Sequence, residues 1–215
     1  MLSGTLEFFA TKKIILGSSS STRQTLLAKL KVPFVVDPSG ADESLEKEGK
    51  SGEDYCLATC KLKMDTMLSR YKDKDWDVLI TADTIILQDG KVFEKPVDAE
   101  ESAAFLRCFS GRDHRAITAM VLAFNRGGSV TTFEELGGAD IRFPQLSERA
   151  IKSFAIENPE IMQMSGGYTI LGAGASLFEK IDGDFNSILG LPMAKLCRRL
   201  LEFYAEDIDE FYQKE

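Results

Sequence analysis

The stretch WDVLITADTIILQDGKVFEKP, residues 76–96, decides the fold. Its opening, 76–81, is a run of apolar and β-branched residues that reads as a buried strand. The apolar character continues past Asp83 through Ile85, Ile86 and Leu87, pauses at Asp89-Gly90 and resumes at Val92 and Phe93. An Asp-Gly pair between apolar runs favours a type I′ turn, in which both central residues take positive φ. A central strand that folds back on a short partner is therefore expected, with Lys95 and Pro96 just beyond it.

Working outward from this hairpin, KKIILG at 12–17 reads as a short buried strand. Leu26, Leu27 and Leu30 repeat as on a helix over 24–30. A second strand is expected at 32–36 and a long helix over 52–71, where Ser51 and Asp54 stand at capping-box spacing. Downstream, 98–109 reads as a helix capped by Asp98, with Glu101 three residues on. HRAITAMVLAF and SVTTFEEL, joined by NRGG, read as two antiparallel strands. Residues 147–157 form an amphipathic helix that stops before Pro159. The last third supplies a Gly-rich loop, a strand over 176–181 and a helix from Pro192, a residue suited to a first turn. Helices interleaved with strands and two hairpins predict an α/β fold with a mixed sheet. No repeat or Pro/Gly-rich linker interrupts the 215 residues, so one unit spanning 1–215 is expected, with its longest exposed loop at 42–52.

Composition narrows the function. The chain carries 26 basic and 34 acidic residues, a net charge of −8, which opposes a nucleic-acid backbone as partner. No apolar run is long enough to span a bilayer, and the first residues lack the basic start of a secretory signal, so a cytoplasmic location is expected. Cys56, Cys60, Cys108 and Cys197 form no CxxC pair and read as buried reduced thiols.

Four segments place polar groups where α/β folds bind ligands. GSSSSTRQTLL, 17–27, is a small-residue turn entering a helix with Arg23 in its first turns. Its hydroxyls, free N–H groups and positive helix end suit an anion such as a triphosphate, although an ordinary Ser-capped helix has the same pattern. Asp42-Glu43 offers carboxylates for a divalent cation, and Lys61 on the long helix a compact charge for phosphate. Asp83 follows the apolar run directly, and a carboxylate there is costly unless it meets a cation, a metal or hydrogen-bond donors. Lys95 lies near Asp83 if the hairpin folds back as read.

Other signals fail. GAGASL at 172–177 lacks the third glycine of a dinucleotide fingerprint and precedes a strand, and no Walker lysine follows the serine loop. His114 has no serine or cysteine motif to serve, and reads as a residue that orients a loop through a hydrogen bond.

The order of these segments resembles the Maf family of nucleotide pyrophosphatases in the ITPase-like superfamily. The resemblance rests on IILGSSSSTRQTLL, ADES, LATCKL, ADTIILQDGKVFEKP with SGRDHRAIT, and SGGYTILGAGASLFEKIDGDFNSILGLP. It implies two lobes around a central cleft on a curved mixed sheet, a homodimer, and cleavage of nucleoside triphosphates between the α and β phosphates with Mg²⁺ or Mn²⁺. Carried over, Asp83 is the catalytic acid, Glu43 with Asp83 the metal carboxylates, and Ser18, Ser20, Arg23, Lys61 and Lys95 the phosphate contacts.

Two positions depart from the family pattern. The opening motif has Ser21 and Thr22 where Pro and Arg or Trp are usual, and Leu171 stands where a Gln or Glu is usual. Both positions are tied to base choice, as is Thr84, which keeps the form of the pyrimidine branch and points toward dTTP and UTP. Modified nucleotides such as 7-methyl-GTP, or a nucleotide-binding regulator of septum formation with little turnover, are the alternative readings.

Overall fold

The computed structural model describes residues 2–46 and 49–214. Of the expected loop 42–52, the described residues up to Ser51 lie in neither helix nor strand, Gly52 already opens the next helix, and residues 47 and 48 lie outside the described ones. A short helix, α1 (Leu6–Ala10), leads into β1 (Ile14–Leu16) and then α2 (Ser21–Ala28). Helix α2 begins three residues before the leucine periodicity because the Ser20 hydroxyl accepts from the Arg23 N–H and caps it. Strand β2 is only Val35–Val36. Lys31, at φ 59°, and Pro33 keep the chain out of the sheet earlier, so the expected strand over 32–36 is shortened to its end.

Helix α3 (Gly52–Arg70) is capped by Ser51, whose hydroxyl accepts from the Asp54 N–H. Strand β3 (Val78–Gln88) and β4 (Lys91–Phe93) form the hairpin expected from Asp89-Gly90, both at positive φ, with Gln88 opposite Lys91. Helix α4 (Ala99–Phe109) is capped by Asp98. Strands β5 (Asp113–Arg126) and β6 (Ser129–Arg142) turn at Gly127-Gly128 and pair along their whole length. Helix α5 (Glu148–Glu157) follows, then three 3₁₀ segments, Pro159–Gln163, Ser165–Gly167 and Gly172–Leu177. The chain ends with β7 (Lys180–Gly183), α6 (Phe185–Ile188), α7 (Met193–Phe203) and α8 (Ala205–Gln213). The strand expected over 176–181 starts at Lys180 instead, because Gly172 at φ 59° and the Ser176 hydroxyl, donated to the Ala173 carbonyl, close that segment as 3₁₀ turns. Pro192 caps α7 rather than sitting inside it.

The sheet is seven-stranded and mixed, in the order β2-β1-β3-β5-β6-β7, with β4 added to β3. Strand β1 is parallel to β2 and β3, and the remaining pairs are antiparallel. One face packs Leu16, Ile80, Leu122 and Phe124 against Leu27 of α2 and Leu196 and Leu200 of α7. The other packs Leu79, Val121 and Ala123 against Cys56, Cys60, Met64 and Met67 of α3. A third cluster gathers Ile86, Phe109, Ala116, Phe143 and Tyr168 under α4 and α5. The long strands β3 and β5 thus run from two clusters into the third. Among the described residues no helix is long and apolar enough to cross a membrane.

Candidate active site

Strand β5 occupies one edge of β3 from Val78 to Leu87. On the other edge β1 stops opposite Ile80 and β4 begins only at Ile86. The gap between them, at the carboxyl end of a parallel strand, is where α/β sheets open a ligand crevice. Asp83 and Thr84 lie in this gap and line a cavity of about 410 Å³.

Each wall is delivered by a different element. Beyond β1 the chain turns through Ser18 and Ser20 into α2. The Ser18 hydroxyl accepts from the Ser20 N–H at 3.3 Å and from Arg23 Nη1 at 3.2 Å, so its own proton is left for a further acceptor. The first N–H groups of α2 face no preceding turn and complete an anion-accepting end. From α3, the ammonium of Lys63 reaches Asp83 Oδ1 at 2.7 Å and Glu43 Oε2 at 2.9 Å, with only 8% of the lysine side chain exposed. Glu43 sits on a loop tied back to the end of α3. Arg70 donates to the Asp37 carboxylate and the Pro38 carbonyl, and the Tyr71 hydroxyl donates to Asp37 at 2.8 Å. The Tyr71 hydroxyl first, then the Arg70 guanidinium, hold the Asp37 carboxyl below the usual carboxylate range despite partial burial.

The facing wall comes from the 3₁₀ segments. Ser165 donates to the Thr84 carbonyl at 2.6 Å and Gly166 to that of Glu94, which fastens this wall to both β3 and the segment carrying Lys95. Tyr168 shares a 3.0 Å hydrogen bond with His114 Nε2, so the buried histidine orients this loop. Gln163, Met164, Thr169 and Ile170 complete the lining.

Ser18, Ser20, Thr22, Arg23, Glu43, Asp83, Thr84 and Lys95 therefore share one cleft. Lys61 does not. It is two residues, about 200° of helix, from Lys63. Half exposed on the outer face of α3, it pairs with Glu134 at 2.6 Å. Leu171 is 50% exposed and is not among the residues that line the cleft, although its neighbour Ile170 is. Asp42 is exposed and accepts from the Ser44 N–H at 3.1 Å rather than joining Glu43 in the cleft.

Residues 13–203 match the sequence model of a family described as Maf-like protein. The chain belongs to that family. It is 40% identical over 194 residues to the dTTP/UTP pyrophosphatase of Bacillus velezensis, covering 90% of this chain and 97% of that protein. It is 36% identical over 184 residues to the dTTP/UTP pyrophosphatase of Thermosipho africanus, covering 86% and 90% respectively. A human protein named probable bifunctional dTTP/UTP pyrophosphatase/methyltransferase is 32% identical over 204 residues, which cover 90% of this chain and 32% of that longer protein.

Within this Maf-like cleft, Lys63 is the residue that sequence reading missed. The signal was present: Cys56, Cys60, Met64 and Met67 mark the buried stripe of α3, and Lys63 falls on it while Lys61 does not. A lysine on a buried stripe needs an anionic partner, and it has two. Cys56 and Cys60 lie on the same stripe as free thiols. Burial, then the charge of Asp83, pushes the Cys56 thiol far up, and burial pushes Cys60 up to about 11, so both stay protonated thiols at neutral pH and neither is an activated nucleophile.

Proposed function

We propose that this chain hydrolyses nucleoside triphosphates to monophosphate and pyrophosphate, with dTTP and UTP as preferred substrates. The observation that carries the reading is the meeting of Asp83, Glu43 and Lys63 with Arg23 and Lys95 in the gap between β1 and β4. Three cations and two carboxylates in one cleft suit a substrate that is polyanionic and must be attacked by water at phosphorus. The names of the bacterial relatives support the pyrimidine preference.

In this reading the triphosphate lies against the start of α2, where Ser18 and Ser20, the helix N–H groups and Arg23 bind its oxygens. Lys95, in the same lining, neutralises further charge on it. Lys63 holds Oδ1 of Asp83, and among the described residues no hydrogen bond reaches Oδ2. That open oxygen orients a water toward the α-phosphorus and accepts its proton as the P–O bond to the pyrophosphate breaks. Lys63 keeps Asp83 and Glu43 together without their mutual repulsion opening the site.

Asp83 and Glu43 also suit Mg²⁺ or Mn²⁺. The carboxylates of Asp83 and Glu43, which both line the cleft, would supply two hard oxygen donors to such an ion. That donor set fits Mg²⁺ and Mn²⁺ and does not fit a structural zinc. When bound, such an ion polarises the phosphoryl group and offsets charge on the leaving pyrophosphate.

A pyrophosphate-release assay over dTTP, UTP, the purine triphosphates and 7-methyl-GTP, with Mg²⁺, Mn²⁺ or Co²⁺, tests the reading. Release is expected with dTTP and UTP. Asp83→Asn is expected to abolish turnover while nucleotide still binds. Orthophosphate as product, or an Asp83→Asn enzyme of near-normal rate, overturns it.

A further inference from the structure

Arg23 is held by more than its neighbours on α2. Its Nε donates to the Gly190 carbonyl at 2.8 Å and its Nη2 to Thr84 Oγ1 at 2.9 Å. Thr84 Oγ1 lies 2.9 Å from Thr118 Oγ1, and Thr118 Oγ1 is 2.6 Å from the carbonyl of Ser187. Thr118 and Ser187 are fully buried, and Thr118 does not line the cleft.

The direction of every bond in this chain is fixed by chemistry. A guanidinium only donates, a carbonyl only accepts, and a hydroxyl has one proton. The proton of Thr118 goes to Ser187, so Thr118 accepts from Thr84, and Thr84 accepts from Arg23. The path runs one way, from Arg23 through Thr84 and Thr118 to the Ser187 carbonyl. That carbonyl also accepts the Gly190 N–H at 3.0 Å, and the Gly190 carbonyl accepts Arg23 Nε, so the path closes into a ring. Gly190 fits there because it takes φ +96°, and a Cβ would stand 3.1 Å from Arg23 Nε and 3.3 Å from Thr84 Oγ1.

We propose that Thr118 is a positioning residue that acts through Thr84 to aim Arg23 at the substrate's phosphates, and that Thr84 serves this ring rather than reading the base. The proton of Thr84 is committed to Thr118, so it has none to offer a pyrimidine carbonyl. Hydrogen bonds that share hydroxyls polarise one another, and a ring anchored on a guanidinium gains most from this in a buried setting. The proposal rests on the reading of Arg23 as a phosphate ligand.

The test is a set of steady-state and binding measurements on Thr118→Val, Thr118→Ser, Thr84→Val and Arg23→Ala. Thr118→Val keeps the shape and deletes the link. It is expected to raise KM for dTTP about 10-fold to 100-fold, with affinity for thymidine unchanged. Thr118→Ser keeps the hydroxyl and is expected to return KM to within about threefold of the parent. Thr84→Val, which breaks the same ring from the cleft side, should match Thr118→Val and leave the dTTP to GTP preference as it was. In an Arg23→Ala background Thr118→Val should add nothing, because both changes remove one function. Additive losses, failure of serine to rescue, or a changed base preference in Thr84→Val alone overturns the ring. If Arg23→Ala itself leaves KM for dTTP unchanged, the phosphate role of Arg23 fails instead, and the two failures are thereby told apart.

Discussion

The ammonium of Lys63 lies 2.7 Å from Oδ1 of Asp83, and it is the only charged group among the buried residues of its helix, beside Tyr55, Cys56, Thr59, Cys60, Met64 and Met67. A buried lysine is stable here because two carboxylates answer it, and removing it leaves Asp83 and Glu43 facing each other with no cation between them. Lys63→Met is therefore expected to lower kcat/KM by about 100-fold or more. Lys61→Met removes a half-exposed ion pair with Glu134 and is expected to stay within about threefold of the parent. A Lys63→Met enzyme that also stays within about threefold of the parent would show that the Lys63 bridge has no part in turnover.

Base choice is expected to follow Gln163. Among the described residues that line the cleft it carries the only side-chain amide, at the end of the 3₁₀ segment Pro159–Gln163 and two residues before Ser165, whose hydroxyl donates to the Thr84 carbonyl. An amide presents a donor and an acceptor side by side, the complement of the imide edge shared by uracil and thymine. Gln163→Leu is expected to reduce the preference for dTTP and UTP over purine triphosphates by about 10-fold or more. Leu171→Gln, at a half-exposed position outside the lining, should move that preference little. Competition assays with mixed triphosphates measure both, and a larger effect at Leu171 would place base recognition on the outer side of this loop.

Much of this architecture was legible because it depends on local signals. The Asp89-Gly90 turn, the Ser51 and Asp98 caps and the apolar runs of β1, β3 and β5 each specify their element within a few residues. Asp83 was conspicuous for the same reason, as a carboxylate set against an apolar run. What escaped was set by tertiary geometry. Lys61 and Lys63 differ by two positions and by the side of the helix they occupy, which depends on where the sheet lies. Thr118 sits within an apolar strand and gains meaning only when β5 brings it beside Thr84 and α6 brings it the Ser187 carbonyl. Gly-rich sequence around 172–177 could close as turns or extend as a strand, and the Ser176 bond to Ala173 decides for turns.

Glu135 should matter to stability and not to turnover. It is 7% exposed on β6 and receives Arg199 at 2.6 Å, Arg198 at 3.2 Å and Lys195 at 3.6 Å, which pins α7 to the sheet. Burial would raise its carboxyl, but these cations, Arg199 above all, bring it below the usual range. A carboxyl lowered in the folded state contributes stability that is present above its unfolded value and is lost as pH falls through the folded one. Glu135→Gln is expected to cost about 2 kcal/mol at neutral pH in denaturant melts, with kcat/KM unchanged. No change in the midpoint would show that the cluster is solvated and adds nothing to the fold.

His114 is expected to make the fold sensitive to acid in a higher window. Its ring is 4% exposed, stacks on Phe109 at 4.4 Å between centroids and meets Phe143 edge-on at 4.7 Å, while Nδ1 has no partner among the described residues. Burial disfavours the imidazolium and brings the group from 6.5 down to about 4. Between those values the unfolded chain binds a proton that the folded chain does not. Stability is therefore full above about pH 6.5, falls as pH drops toward about 4, and is lost by about 3 kcal/mol from this group at the end of the window. His114→Phe keeps the ring stack but orphans the Tyr168 hydroxyl, which costs about 1–3 kcal/mol at every pH, so the slope rather than the level is the quantity to read. Urea melts from pH 7.5 to 4.5 are expected to show a flatter dependence for His114→Phe, and for His114→Phe with Tyr168→Phe, than for the parent. Parallel curves would mean that the folded state takes up the proton, with His114 charged inside the aromatic cluster or released from it.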